Sequence, residues 1–134
     1  MIKAISKEVK TTATRMMPQW LWDQGVRHTV LCPGSRSAPL TLAISRSSLM
    51  EVFTGVDERS AGYAALGLSL GSGRPVVVVC TSGTALLNLG PAVAEAYYLR
   101  LPLVILSADR PAGYEGHQRG QVIRQAGALD HHLR

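Results

Sequence analysis

Two rhythms of apolar residues alternate along the chain. Short runs at His28 to Cys32, Glu51 to Val56, Val76 to Cys80 and Leu103 to Ser107 have the length and apolar content of strands. Between them lie longer stretches of helical character, Ala38 to Ser47, Glu58 to Leu70 and Ala85 to Leu99. A first helix is expected from about Ser6 to Gln24, with Gly25 as its C-cap. Pro18 inside it either kinks the helix or shifts its start. Asp57 reads as the N-cap of a helix that Gly71-Ser72-Gly73 ends. The pattern weakens after Pro111, and Gly113 to Arg134 reads as loop with room for one short helix.

Strand and helix alternating with short connections predict an α/β fold with a doubly wound parallel sheet. The nearly pure valine run suits a strand buried on both faces. In such sheets ligands gather beyond the carboxyl ends of the strands, at the switch in strand order. The segments leaving those ends are Pro33 to Pro39, Asp57 to Ser60, Thr81 to Thr84 and Ala108 to Pro111, all expected on one edge. With an order beginning 2-1-3-4, the first and third flank the switch.

A chain of 134 residues holds one domain, and 46% hydrophobic against 17% charged residues excludes disorder. The net charge of +5 comes from scattered basic residues, with no block of like charge and no aromatic–basic interleaving, so nucleic acid is the weakest class. Pro75 to Ala94 is uncharged and about as long as a membrane span. Polar Thr81 to Thr84, Asn88, Gly90 and Pro91 break it into a buried strand and a buried helix, so no span is expected. Met1 to Lys10 lacks the apolar core of a signal peptide. Cys32 and Cys80 read as buried thiols suited to a reducing cytoplasm. His28, His117, His131 and His132 show no metal spacing, so no metal ligands are assigned in this chain.

Each strand-end segment carries two readings. Pro33-Gly34-Ser35-Arg36-Ser37 is either an ordinary βα turn with a solvated arginine or an anion site built from a tight turn, hydroxyls and a guanidinium fork. Its spacing is neither that of a P-loop nor that of a dinucleotide fingerprint. At Asp57-Glu58-Arg59-Ser60, Glu58 either favours the helix dipole or acts as an acid-base partner for a ring nitrogen. Thr81-Ser82-Gly83-Thr84 is either a plain N-cap or a polar cradle that a flat ring can approach. Asp109-Arg110-Pro111 is a turn with a surface ion pair or a second anion clamp beside Arg36. Gln121 and Gln125 fall in a polar loop, where glutamine usually faces solvent.

Taken together, these segments resemble a known family. Cys32-Pro33-Gly34-Ser35-Arg36-Ser37-Ala38-Pro39, Asp57-Glu58-Arg59-Ser60-Ala61-Gly62, Thr81-Ser82-Gly83-Thr84-Ala85, Ala108-Asp109-Arg110-Pro111 and Gly120-Gln121-Val122-Ile123-Arg124-Gln125 follow in order. They are similar to the opening part of the 2-succinyl-5-enolpyruvyl-6-hydroxy-3-cyclohexene-1-carboxylate synthases (MenD), which are thiamine-diphosphate enzymes of menaquinone biosynthesis. The resemblance runs from about Gly25 to Gln125.

The resemblance implies that this chain is the N-terminal part of a pyrimidine-binding domain, with residues 1–134 forming one truncated unit. It implies an enzyme that decarboxylates 2-oxoglutarate and adds the succinyl-semialdehyde unit to isochorismate. Glu58 inherits the bond to the aminopyrimidine N1′ that favours the imino tautomer. Thr81, Ser82 and Gly83 fall to the cofactor, and Ser35, Arg36, Arg110 and Gln121 to isochorismate, whose two carboxylates suit two arginines. The cofactor's Mg2+ or Mn2+ falls to a diphosphate-binding domain of a second subunit in a homo-oligomer. That domain's Gly-Asp-Gly-like turn is absent from this sequence. The chain alone is therefore expected to hold half a site, to be inactive and to be marginally stable. A non-catalytic fragment and one subunit of a split enzyme are the rival expectations.

Overall fold

A strand whose five side chains are all buried, Val76–Cys80, organises the sheet. The computed structural model describes residues 7–111, 113–114 and 120–133, so Ser6, His117 and Arg134 lie outside the described residues. In chain order the elements are α1 (Lys7–Asp23), β1 (His28–Leu31), α2 (Ala38–Ser45), β2 (Glu51–Thr54), α3 (Glu58–Ser72), β3 (Val76–Cys80), α4 (Thr84–Asn88), α5 (Gly90–Leu99) and β4 (Leu103–Ser107). A short 3-10 turn follows at Asp130–His132.

The four strands are parallel, in the order β2-β1-β3-β4. The chain steps from β1 outward to β2 and then back past β1 to β3. The switch point therefore lies between β1 and β3, as the order 2-1-3-4 requires. His28 pairs with both Glu51 and Val76, and Val76 with Leu103, so the strands start level.

Strand alternation divides the interior into two cores. Val30, Cys32, Val76, Val78 and Cys80 pack with Ala61 and Ala65 of α3, Ala85 of α4, Leu89 between α4 and α5, and Val93 of α5. Leu31, Val77 and Val79 face the other way, onto Leu21, Ile44 and Met50. Helices α3, α4 and α5 thus cover one face, and α1 and α2 the other. Burying each of the β3 valines stabilises the fold by about 1.5–3 kcal/mol.

The local signals set most element boundaries. Asp57 caps α3, accepting from Ser60 N at 2.8 Å and from Ser60 Oγ at 2.7 Å. Those bonds hold its carboxyl below the ordinary carboxylate value. Gly25 turns the chain out of α1 at φ 87°. Pro18 lies within α1, and the helix runs through it from Lys7 to Asp23. The helix expected over Ala85 to Leu99 is instead two helices that meet at Leu89. Pro91 falls in the first turn of α5, where a missing N–H costs no intrahelical bond. No helix among the described residues is long and apolar enough to cross a membrane.

Candidate active site

Because the strands are parallel, all four segments singled out in the sequence leave the sheet at one edge. The loops after β1 and β3 meet there. A β-carbon at Gly34 would collide with the Thr81 side chain, whose Cγ2 stands 2.9 Å from that position. Glycine is needed at 34 because the two loops close on each other at the switch point. Ser37 is buried and ties the first loop together, its Oγ donating to Gly34 O at 3.1 Å.

Glu58 opens α3 and is half-buried. Its Oε2 accepts from Asn88 Nδ2 at 3.2 Å. Its charge reaches the free thiols of Cys32 and Cys80, both buried. Cys32 follows β1 and its backbone N–H donates to Val79 O at 2.8 Å, beside Cys80 on β3. Burial, and after it the charges of Glu58 and Asp57, pushes the Cys32 thiol up to about 11. Burial, then Cys32 and Glu58, pushes Cys80 up to about 12. Both are therefore neutral at physiological pH.

A cavity of about 480 Å³ lies on the β4 side of the same edge, lined by Ser82, Gly83, Asp109, Arg110, Gln121 and Gln125 among others. Arg110 is half-buried, and its Nη2 donates to Gly120 O at 3.0 Å. Its Nε is buried with no hydrogen-bond partner among the described residues. A buried guanidinium donor without a partner fits an anionic group entering the cavity. Gly83 is buried at φ 82°, and a β-carbon there would collide with the Gln121 carbonyl. Both the conformation and the close approach require glycine.

The edge thus gathers Ser82, Gly83, Arg110 and Gln121 into one cavity and sets Thr81 against Gly34 at the neighbouring switch point. Ser35 and Arg36 are exposed on the loop after β1 and do not line that cavity. Arg110 bonds instead to Gly120 O of the returning chain. The Thr81–Thr84 loop supplies no side-chain cap to α4, whose N-cap is Gly83. Gln125 departs from the solvent-facing expectation. It is half-buried and satisfies Gly83 N–H and the Ala108 carbonyl, backbone groups at the strand ends that would otherwise need other partners. Asn88 and Gln125 are the polar residues of this edge that sequence reasoning left without a role. Among the described residues, no group of three or more His, Cys, Asp or Glu is placed to hold a metal ion.

The chain is 60% identical over 101 residues to the 2-succinyl-5-enolpyruvyl-6-hydroxy-3-cyclohexene-1-carboxylate synthase of Desulfotalea psychrophila, covering 75% of this chain and 19% of that protein. It is 55% identical over 105 residues to the synthase of the same name from Bacteroides thetaiotaomicron, 78% of this chain and 19% of that protein. With that of Mycobacterium tuberculosis it shares 50% over 120 residues, 87% of this chain and 22% of that protein. The chain spans about a fifth of the length of these relatives. Residues 11–128 match the family described as thiamine pyrophosphate enzyme, N-terminal TPP binding domain. With its parallel sheet and this match over most of its length, the chain belongs to the family of N-terminal TPP-binding domains of thiamine pyrophosphate enzymes.

Proposed function

We propose that this chain supplies the pyrimidine-binding part of the active site in a synthase that decarboxylates 2-oxoglutarate and adds the resulting succinyl-semialdehyde unit to isochorismate. The observation that carries the reading is Glu58, which opens α3, accepts from Asn88 and acts electrostatically on Cys32 and Cys80 at the ends of β1 and β3. The residues present fit an aminopyrimidine: a carboxylate to accept from a ring N–H, a glycine whose missing β-carbon leaves room, and small hydroxyl side chains at Thr81 and Ser82. Thiamine diphosphate, when bound, supplies the electron sink for decarboxylation. Glu58 holds and returns a proton at the ring nitrogen, and Asn88 orients its carboxylate. Thr81, Ser82 and Gly83 line the pyrimidine side. The neutral thiols of Cys32 and Cys80 keep the floor of the site free of competing charge.

Arg110 and Gln121 bind one carboxylate of isochorismate in the cavity. Ser35 and Arg36, on the exposed loop, take up the other. The Mg2+ or Mn2+ and the diphosphate are assigned to a diphosphate-binding domain of a second subunit in a homodimer working in the cytoplasm. The 134-residue chain alone is expected to show no turnover.

The test is a chimera in which this chain replaces the matching segment of the Desulfotalea psychrophila synthase. It should turn over 2-oxoglutarate and isochorismate, and Glu58→Gln in it should lower turnover by about 100-fold or more, the scale of a lost acid-base group. Thiamine diphosphate affinity should stay nearly constant. Near-normal turnover of Glu58→Gln would reduce Glu58 to a helix-start residue and overturn the reading.

A further inference from the structure

The cavity beside Arg110 is bounded by a return of the chain over residues 120–125, and the structure fastens that return at both ends. At one end Arg110 Nη2 donates to Gly120 O. At the other, the side-chain amide of Gln125 makes three hydrogen bonds. Its Oε1 accepts from Gly83 N at 2.8 Å, and its Nε2 donates to Ser107 Oγ at 3.1 Å and to Ala108 O at 2.8 Å. One amide therefore joins the loop after β3 to the end of β4. Between the fasteners Gln121 adopts φ 64°, a left-handed conformation that a non-glycine residue keeps only when its surroundings hold it. Its carbonyl lies against Gly83.

We propose that Gln125 is a positioning residue. Its amide fixes the spacing between the Ser82–Gly83 loop and the Arg110–Gln121 pair, and so sets the affinity for the carboxylate-bearing acceptor substrate. This rests on the substrate reading given above. Gln125 acts through other residues, because both Nε2 hydrogens and an Oε1 lone pair are already used within the protein. The pattern needs an amide. A carboxylate would keep the acceptor for Gly83 N–H but would bring no hydrogen to the Ala108 carbonyl. An apolar side chain of the same size would leave both backbone groups without this partner.

Two measurements test this. In the chimera, Gln125→Ala and Gln125→Glu should each raise KM for isochorismate about tenfold, the scale of one or two lost hydrogen bonds, with kcat and the thiamine diphosphate requirement within about twofold. Ser107→Ala, which removes one bond and leaves two, should raise it about twofold to threefold, and it keeps the test available if Gln125→Ala does not fold. Unchanged KM in these variants, or a fall in kcat and melting temperature at constant KM, would overturn the proposal. The second measurement needs no activity. Hydrogen exchange at the Gly83 amide of the 134-residue chain should quicken about tenfold in Gln125→Ala and much less in Gln125→Glu, which retains the acceptor. An inactive wild-type chimera would overturn the substrate reading alone. In that case unchanged Gly83 exchange in Gln125→Ala would overturn the clamp, and faster exchange would sustain it.

Discussion

Asn88 Nδ2 donates to Glu58 Oε2 at 3.2 Å, which joins the last residue of α4 to the first residue of α3. Glu58 begins a helix and could swing freely on its two terminal rotors. The amide removes part of that freedom and aims the carboxylate. Asn88→Ala in the chimera is therefore expected to lower turnover by about tenfold, the scale of one hydrogen bond to a charged group. The loss should be smaller than that of Glu58→Gln, and the Glu58→Gln/Asn88→Ala double variant should be no worse than Glu58→Gln alone. Additive losses in steady-state kinetics would show that Asn88 acts elsewhere.

The two arginines proposed for substrate should separate in size of effect. Arg110 lines the cavity and has a buried Nε without a partner, whereas Arg36 is exposed outside it. Arg110→Ala should raise KM for isochorismate by about 100-fold, as for a charge-assisted contact in a partly buried site. Arg36→Ala should raise it by about tenfold or less, because solvent and salt screen an exposed charge. Equal effects of the two substitutions would place Arg36 in the cavity once substrate arrives.

Cys32 and Cys80 should resist thiol reagents in the folded chain, because thiolate is the reactive form and both thiols are buried and pushed up to about 11 and about 12. At pH 8, iodoacetamide labelling followed by mass should be slow until denaturant is added. The same shifts set an alkaline limit. The unfolded chain loses thiol protons near 9.0, before the folded chain does, so stability from this source is fully present below that pH. It declines as pH rises through about 11. Urea midpoints measured at increasing pH should fall across that window, and fall less in Cys32→Ala/Cys80→Ala.

Gly83→Ala tests the packing of the return segment directly. The substitution strains a φ of 82° and drives a β-carbon into the Gln121 carbonyl. A loss of about 2 kcal/mol or more is expected in denaturant melts. A neutral effect would mean that residues 120–125 give way at little cost.

The sequence was most legible where one local pattern had one cause. Val76–Cys80 reads as a strand because an unbroken β-branched run suits a position between two helical layers, and both its ends were found where expected. Asp57 was legible as a cap because its acceptor lies three residues from the amide it serves. The break between α4 and α5 was written in Gly90-Pro91 but hidden by apolar residues that continue through Leu89 into both helices. The strand-end segments named the edge of the site but not its pairings. Asn88 meets Glu58 across 30 positions, and Gln125 meets Gly83 across 42, distances over which no periodicity carries information. Arg36 was grouped with Arg110 on charge and chain position, and the fold gives them different surroundings: Arg36 is exposed, whereas Arg110 lines the cavity and bonds Gly120 O.

A sheet with every distinctive side chain on one rim and both cores beneath it can be re-tooled from above. Replacing residues 120–125 with loops of other lengths leaves the valines of β3 in place. New acceptor molecules could therefore be sought by loop transplantation on an unchanged scaffold. The first constraint such grafts meet is the pair of glycines, Gly34 and Gly83, where two loops already stand at the limit of approach.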